Sequence, residues 1–283
     1  ITVLHGTLTA MASSDNNITW TGVFVPTNGI ETSEHVLTLS ANYSDVFGNT
    51  GVVSSKSNIF MIDTKRPTVS SFTIDKSVLK IGETATVTII FSEPVTGFNK
   101  TNILGHENLS DNLSNGIPHF NYMKWTFTYT APTSFENEAL VLTLDQLWED
   151  VAGNTPIKAY ETNSFKVDTV SPSAITTNSI TTVGGTATTV DGNEEQLELN
   201  STNTHINIDI PIFDDSTLVG GSLQLQYKEG ENGTWVDVDS AVSITQSMLD
   251  SNHTHNVDLT SINVSNNADI YFRTNVVDNA GNE

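Results

Sequence analysis

The feature that most constrains this chain is that it repeats itself. Asp-Val-Phe-Gly-Asn at 45–49 returns as Asp-Val-Ala-Gly-Asn at 150–154, 105 residues on. At the same interval Asp63-Thr64 returns as Asp168-Thr169 and Pro67 as Pro172, while Trp20, Leu39, Asn58 and Phe60 meet Trp125, Leu144, Asn163 and Phe165. A fixed period means that one structural unit is used more than once, so the fold to look for has the size of the repeat. A third Asp-x-x-Gly-Asn stands at 278–282, 128 residues after the second, so the last unit carries extra residues or a different body. If units begin at the Asp-Thr dipeptides, residues 1–62 are the C-terminal part of a truncated module. Residues 63–167 are then a complete module, and 168–283 a divergent one that lacks its last strand.

The repeat reads as strands. Ala85, Val87, Ile89 and Phe91 alternate with Thr84, Thr86 and Thr88, and Ile206, Ile208, Ile210 and Ile212 align along 205–213. Trp125, Phe127 and Tyr129 form a further two-residue stripe, mirrored by Trp20 and Phe24. A period of two places one face of each strand in a core, which assigns Trp20 and Trp125 to cores rather than to sugar platforms. Asn28-Gly29, Asn115-Gly116 and Asn232-Gly233 supply turns that tolerate positive φ. Short strands separated by turns in a unit of this size give an all-β fold: tandem immunoglobulin-like β-sandwich modules in a linear array. No cysteine is present, so no disulfide spans the sandwich and each core rests on apolar packing.

Composition narrows the partners. Acids number 33 against 11 Lys and Arg, a formal charge of −22, and a surface this acidic repels phosphates, which argues against nucleic acid. No apolar run approaches the roughly 20 residues of a membrane-spanning helix, so no membrane insertion is expected in this segment. Without cysteine there are no thiolate metal sites or cysteine nucleophiles, and no nucleophile elbow, P-loop or His-Glu-x-x-His occurs.

Asp63-Thr-Lys-Arg-Pro-Thr resembles part of the bacterial immunoglobulin-like repeats of giant surface adhesins. So do Leu79-Lys-Ile-Gly-Glu-Thr-Ala-Thr-Val-Thr-Ile-Ile-Phe-Ser-Glu-Pro-Val-Thr-Gly-Phe and Asp150-Val-Ala-Gly-Asn. Residues 1–62 resemble the second half of the same repeat. The third unit departs from it: Gln226-Tyr-Lys, Gly233-Thr-Trp and Tyr271-Phe-Arg before Asp278-Asn-Ala-Gly-Asn resemble fibronectin type III-like bacterial modules. The resemblance implies a non-enzymatic stalk, extracellular on a bacterial surface or secreted, whose partners are neighbouring modules of the same chain. A host or surface glycan or protein would be met through other domains. It also implies structural Ca²⁺ at domain junctions.

A seven-strand sandwich brings the linker, the loop after Phe91 and the Asp-x-x-Gly-Asn loop to one pole. Asp63, Glu93, Asp150 and Asn154 then converge at the first junction, and Asp168, Asp214, Asp215, Asp278 and Asn282 at the second. In residues 1–62 only Asp45 and Asn49 of such a set survive. Ca²⁺ takes about six to eight oxygen ligands, which these groups approach with backbone carbonyls and water. The competing expectation is a plain turn, in which Asp caps backbone amides and Gly takes positive φ. His253-Thr-His255 reads as a solvated strand or loop, and Glu136 with Glu138 as a turn rather than a catalytic pair. A second function remains open, in which residues 168–283 bind carbohydrate or protein directly; an exposed aromatic cluster there is what it requires.

Overall fold

The computed structural model describes residues 1–110, 123–175, 179–184, 188–189, 197–199, 201–263, 265 and 268–283. Among them the regular structure is strand, with short 3₁₀ turns such as Lys100–Asn102 and Ser216–Leu218 and no α-helix. The Asn115-Gly116 turn lies outside the described residues. By compactness the chain divides into two units. One holds Ile1–Asp75, Ala85–Tyr129 and Val141–Ser164; the other holds Lys76–Thr84, Thr130–Leu140 and Phe165–Glu283. The division passes through the 63–167 repeat, whose strands fall in both units.

In the first unit, Thr84–Phe91 is the middle strand of three, between Val69–Ile74 and Lys124–Thr130. Ala85, Val87, Ile89 and Phe91 are all buried, as the alternation with threonine requires. Ile103–Leu104, Thr143–Leu144 and Tyr160–Glu161 form a second sheet of three. Phe91 packs on Trp148 and Phe98, ring centroids 4.7 and 5.2 Å apart, and Phe98 meets Trp125 edge-on at 5.1 Å. Residues 1–62 pair Gly6–Leu8 with Phe24–Pro26 and Glu31–His35 with Phe60–Asp63, around a small cluster of Phe24, His35 and Phe60.

The two repeat-equivalent tryptophans part company. Trp125 is 8% exposed and Trp20 51% exposed, so Trp20 is not a core residue. It stands outside the strands, with its indole N–H donating to the Asn17 carbonyl. Trp125 is covered by the Phe98 ring, edge-on at 5.1 Å.

In the second unit, Phe165–Asp168 lies between Glu136–Leu140, antiparallel, and Val78–Leu79, parallel. Glu136 and Glu138 therefore sit on a strand, not in a turn, and Glu138 pairs with Lys166 at 2.7 Å. Residues beyond 168 build two facing sheets. One contains Ser179–Val183, His205–Ile212 and Ser251–Asp258. The other is centred on Ser222–Glu229, with Ile270–Val277 along one edge and Val236–Asp237 and Val242–Ser243 along the other. Ile206, Ile208, Ile210 and Ile212 from the first meet Leu223, Leu225, Tyr227 and Val276 from the second in one buried cluster.

Two sequence readings change here. His253 and His255 face Ile210 and Ile208 across the strand pair and are half-buried at the rim of this core, not solvated. Burial, and after it His255, holds the His253 ring below the usual histidine range. At Asn232-Gly233 the left-handed residue is Gly230, with φ +71°, and Gly233 closes the turn by donating its N–H to the Gly230 carbonyl.

Trp125→Ala, which removes a buried ring, should destabilise its cooperative unit by about 3–5 kcal/mol. Trp20→Ala at the equivalent repeat position should cost less than about 1 kcal/mol. Urea unfolding of the two variants beside the parent chain measures the difference.

Candidate metal centre

Each linker is first fixed by a threonine. Thr64 N–H donates to the Ile30 carbonyl, its hydroxyl donates to the Thr27 carbonyl at 2.6 Å, and its Oγ1 accepts the Ile30 N–H at 3.0 Å. One repeat later Thr169 does the same with Phe135 and Pro132, at 2.6 Å for the hydroxyl bond and 2.9 Å for the accepted N–H. This side-chain plug leaves the neighbouring Asp63 and Asp168 at fixed positions. The sequence reading concentrated on the acids and missed the plug, although Thr64 and Thr169 carry the same 105-residue signal.

The three Asp-x-x-Gly-Asn loops share one geometry. In the second, Asp150 Oδ1 accepts the N–H groups of Ala152 and Asn154 at 2.8 and 2.9 Å, and its Oδ2 accepts the Asn154 side-chain amide at 2.8 Å. Asp45 does the same for Phe47 and Asn49; Asp278 binds Asn282 in the same way and takes the Gly281 N–H, three residues on, as its second backbone donor. Gly48, Gly153 and Gly281 lie at φ +87°, +88° and +92°, a region that costs any residue with a Cβ about 1–2 kcal/mol. The turn chemistry foreseen for these residues is therefore present in all three loops. Asp45 and Asn49 are exposed, and the Asn49 side chain, with its backbone N–H, holds Asp45 below the usual carboxylate range.

At the first junction the loop reaches the linker. Asn154 Nδ2 donates to the Asp63 carbonyl at 3.2 Å, and Arg66 Nη1 to the Thr155 carbonyl at 2.7 Å. The loop after Phe91 is tied to the linker by Thr68 and Ser92, each N–H donating to the other residue. These three segments bring carboxylate oxygens of Asp63, Glu93 and Asp150 within 4.8 Å of one another. Among the described residues it is the one group of three acids, histidines or cysteines so placed. Glu93 and Asp150 are buried and Asp63 half-buried. Asp63 Oδ1 accepts the Lys65 N–H and Glu93 Oε1 the Ser92 hydroxyl; among the described residues no donor is bonded to Asp63 Oδ2, Glu93 Oε2 or Asn154 Oδ1. The nearby Lys65 ammonium bonds Glu31 at 2.8 Å, and its pull on the Glu93 carboxyl is weaker than the opposing push of burial and the neighbouring acids. Burial, then Asp150 and Asp63, pushes the Glu93 carboxyl above its usual range. An all-oxygen, carboxylate-rich set suits a hard cation such as Ca²⁺ rather than a soft one.

The second junction is built differently. Asn282 Nδ2 donates to the Asp168 carbonyl at 3.0 Å, and its Oδ1 accepts the Ile81 N–H at 3.1 Å. Lys80 Nζ donates to the Gly281 carbonyl at 3.1 Å. Asp168, Asp278 and Asn282 are all buried. Asp215 is used elsewhere, capping Ser216–Leu218 through Thr217 N–H at 2.9 Å, and Asp214 is exposed. Neither joins Asp168 and Asp278 in a three-carboxylate group among the described residues.

Paired sheets carrying these pole-to-linker contacts define a class of β-sandwich repeat modules. The chain belongs to the bacterial Ig-like domain family, whose model matches residues 1–62 and 63–167; residues 168–283 lie outside both matches. A search of curated proteins gives no match. Among solved structures, dimeric latent PorU from Porphyromonas gingivalis is similar at 11% identity and a TM-score of 0.23. That match covers 96% of this chain and 27% of PorU. A likeness this low carries no argument about fold or activity.

Because the folded-state pKa of Glu93 lies above its unfolded value, its ionised form opposes folding. The associated stability is complete below the unfolded carboxylate range and is lost as pH rises through the higher folded value. In chelator at neutral pH, Glu93→Gln should therefore raise the melting temperature, and it should flatten the gain in stability seen on mild acidification. In millimolar Ca²⁺ the same substitution should lower the melting temperature relative to the parent. Scanning calorimetry in the two buffers checks both signs.

Proposed function

We propose that this chain is a non-enzymatic structural stalk segment of a calcium-dependent bacterial cell-surface adhesin, working outside the cell. In this reading 1–62, 63–167 and 168–283 are its modules. The observation that carries it is the Asp63, Glu93 and Asp150 cluster. Three carboxylates from a linker and two loops repel one another unless a cation sits among them. Asp63 belongs to the linker, Glu93 to the loop after Phe91, and Asp150 with Asn154 to the repeated loop. A bound Ca²⁺ supplies compensating charge and makes the linker rigid with respect to those loops. Membership of the bacterial Ig-like family supports a structural or surface role. Among the described residues no helix is long and apolar enough to cross a membrane.

Extracellular modules bind Ca²⁺ with Kd of about 10⁻⁴–10⁻³ M. At ten times Kd one site adds about 1.4 kcal/mol of stability. Titration calorimetry should detect binding in that range; Asp63→Ala or Asp150→Ala should abolish it, and Mg²⁺ should substitute poorly because it keeps its waters. Absence of heat at millimolar Ca²⁺, with melting unchanged by chelator, overturns the calcium reading.

A second reading, direct binding of carbohydrate or protein by residues 168–283, draws on one surface feature. Lys228 lies 5.1 Å from the centroid of the Trp235 ring and 5.0 Å from that of Tyr271, and the Arg273 guanidinium 4.5 Å from Trp235. Tyr271 is exposed and Trp235 half-buried. Lys228 and Tyr271 are cross-strand partners, and such a pair stabilises a sheet by about 0.2–1 kcal/mol without any ligand. Glycan-array binding by the chain that Trp235→Ala removes would favour the second reading; no binding by the parent leaves the patch a sheet-stabilising ladder.

A further inference from the structure

The two linkers differ at one chemically decisive position. Two residues before Asp63 stands Met61, and two before Asp168 stands Lys166. Both pairs lie on a strand, Phe60–Asp63 and Phe165–Asp168, so alternation puts each on the same side as its aspartate. Met61 is 67% exposed and carries no charge. Lys166 is largely buried, its Nζ 3.6 Å from Asp168 Oδ2 and 2.7 Å from Glu138 Oε1. Asp168 is fully buried, and its Oδ2 accepts no hydrogen bond from the described residues. A buried carboxylate oxygen without a donor is stabilised by an adjacent positive charge; otherwise it takes a proton or ligates a metal. Among the described residues Lys166 is the one cation paired with it.

The amide side chains follow the same division. Asn282 spends both ends on protein, its Nδ2 on Asp168 and Asp278 and its Oδ1 on the Ile81 N–H. Among the described residues Asn154 spends only Nδ2, on Asp63 and Asp150. Among the described residues one junction thus has three clustered carboxylates and an amide oxygen bonded to no donor. The other has two buried aspartates, an ammonium ion and a fully used amide.

We propose that Lys166 is a built-in cation that closes the second junction without metal, so that one chain carries a metal-dependent linker and a permanently latched one. The contrast with the first linker rests on the calcium reading given above; the latch itself does not.

Limited digestion of the full chain with a broad-specificity protease, with fragments mapped by mass spectrometry, tests the pair. In chelator, cleavage within 168–172 should be ~10-fold or more slower than within 63–68, since cleavage tracks the open population. Ca²⁺ should protect only the first linker. Lys166→Met, which installs the residue found at 61, should speed cleavage at the second linker ~10-fold or more in chelator, because it strands a buried charge. Lys166→Met with Asp168→Asn removes both charges and should restore slow cleavage, which separates charge compensation from general misfolding. Met61→Lys should slow cleavage of the first linker in chelator and cut its response to Ca²⁺. The proposal is overturned if Lys166→Met leaves the second linker as resistant as before, if the double variant stays as labile as the single one, or if the parent's second linker needs Ca²⁺ for protection. Failure of Ca²⁺ to protect the first linker would defeat the calcium reading alone, because the Lys166 comparisons are made in chelator.

Discussion

A threonine hydroxyl that both donates and accepts is the contact on which the junctions depend. Thr64 and Thr169 each bond two backbone groups of the sandwich they leave, through Thr27 and Ile30 or through Pro132 and Phe135. A linker residue held by a single bond swings about it; one held by its backbone and both hydroxyl roles does not. The next residue back is the aspartate whose carbonyl receives the loop asparagine. The clustering of Asp63 with Glu93 and Asp150, and the bond from Asn282 to the Asp168 carbonyl, presuppose that this aspartate stands still.

The same physics explains why a five-residue loop recurs with so few permitted changes. The aspartate accepts from two backbone N–H groups, the glycine adopts positive φ, and in the second and third copies the asparagine spans from the aspartate to the linker. The two positions between Asp and Gly have no such duty, and they vary: Val-Phe, Val-Ala and Asn-Ala. Electrostatics then separates the copies. Asp45 is solvated, Asp150 joins Asp63 and Glu93, and Asp278 is buried beside Asp168 and Asn282.

Much of this was legible from residues alone, and the failures are instructive. Val87, Ile89, Phe91, Phe127 and Leu144 are buried because strand alternation is a local rule. The approach of Asp63, Glu93 and Asp150 followed from placing three loops at one pole of a sandwich. Trp20 failed because burial depends on a covering partner, here Phe98, which a residue's own repeat position does not supply. Asp214 and Asp215 failed to join Asp168 because the loop after Ile212 turns into a short 3₁₀ segment that Asp215 caps. Trp148 was missed because it follows no alternating stripe, yet it is among the most deeply buried side chains. Ile81 and Lys80 were invisible because a contact 201 residues distant leaves no local trace.

The parallel pairing of Val78–Leu79 with Phe165–Asp168 bears on a different property, the response to force. One strand stands near the start of its repeat and the other at its end, running side by side in the same direction. Tension applied to the two ends pulls such strands past each other lengthwise, so their bonds share the load instead of parting one after another as in an unzipped hairpin. The Lys166 N–H bonded to the Ser77 carbonyl lies in that load path. The residue that neutralises Asp168 is therefore also one of the rungs that would have to break before the repeat could be stretched open.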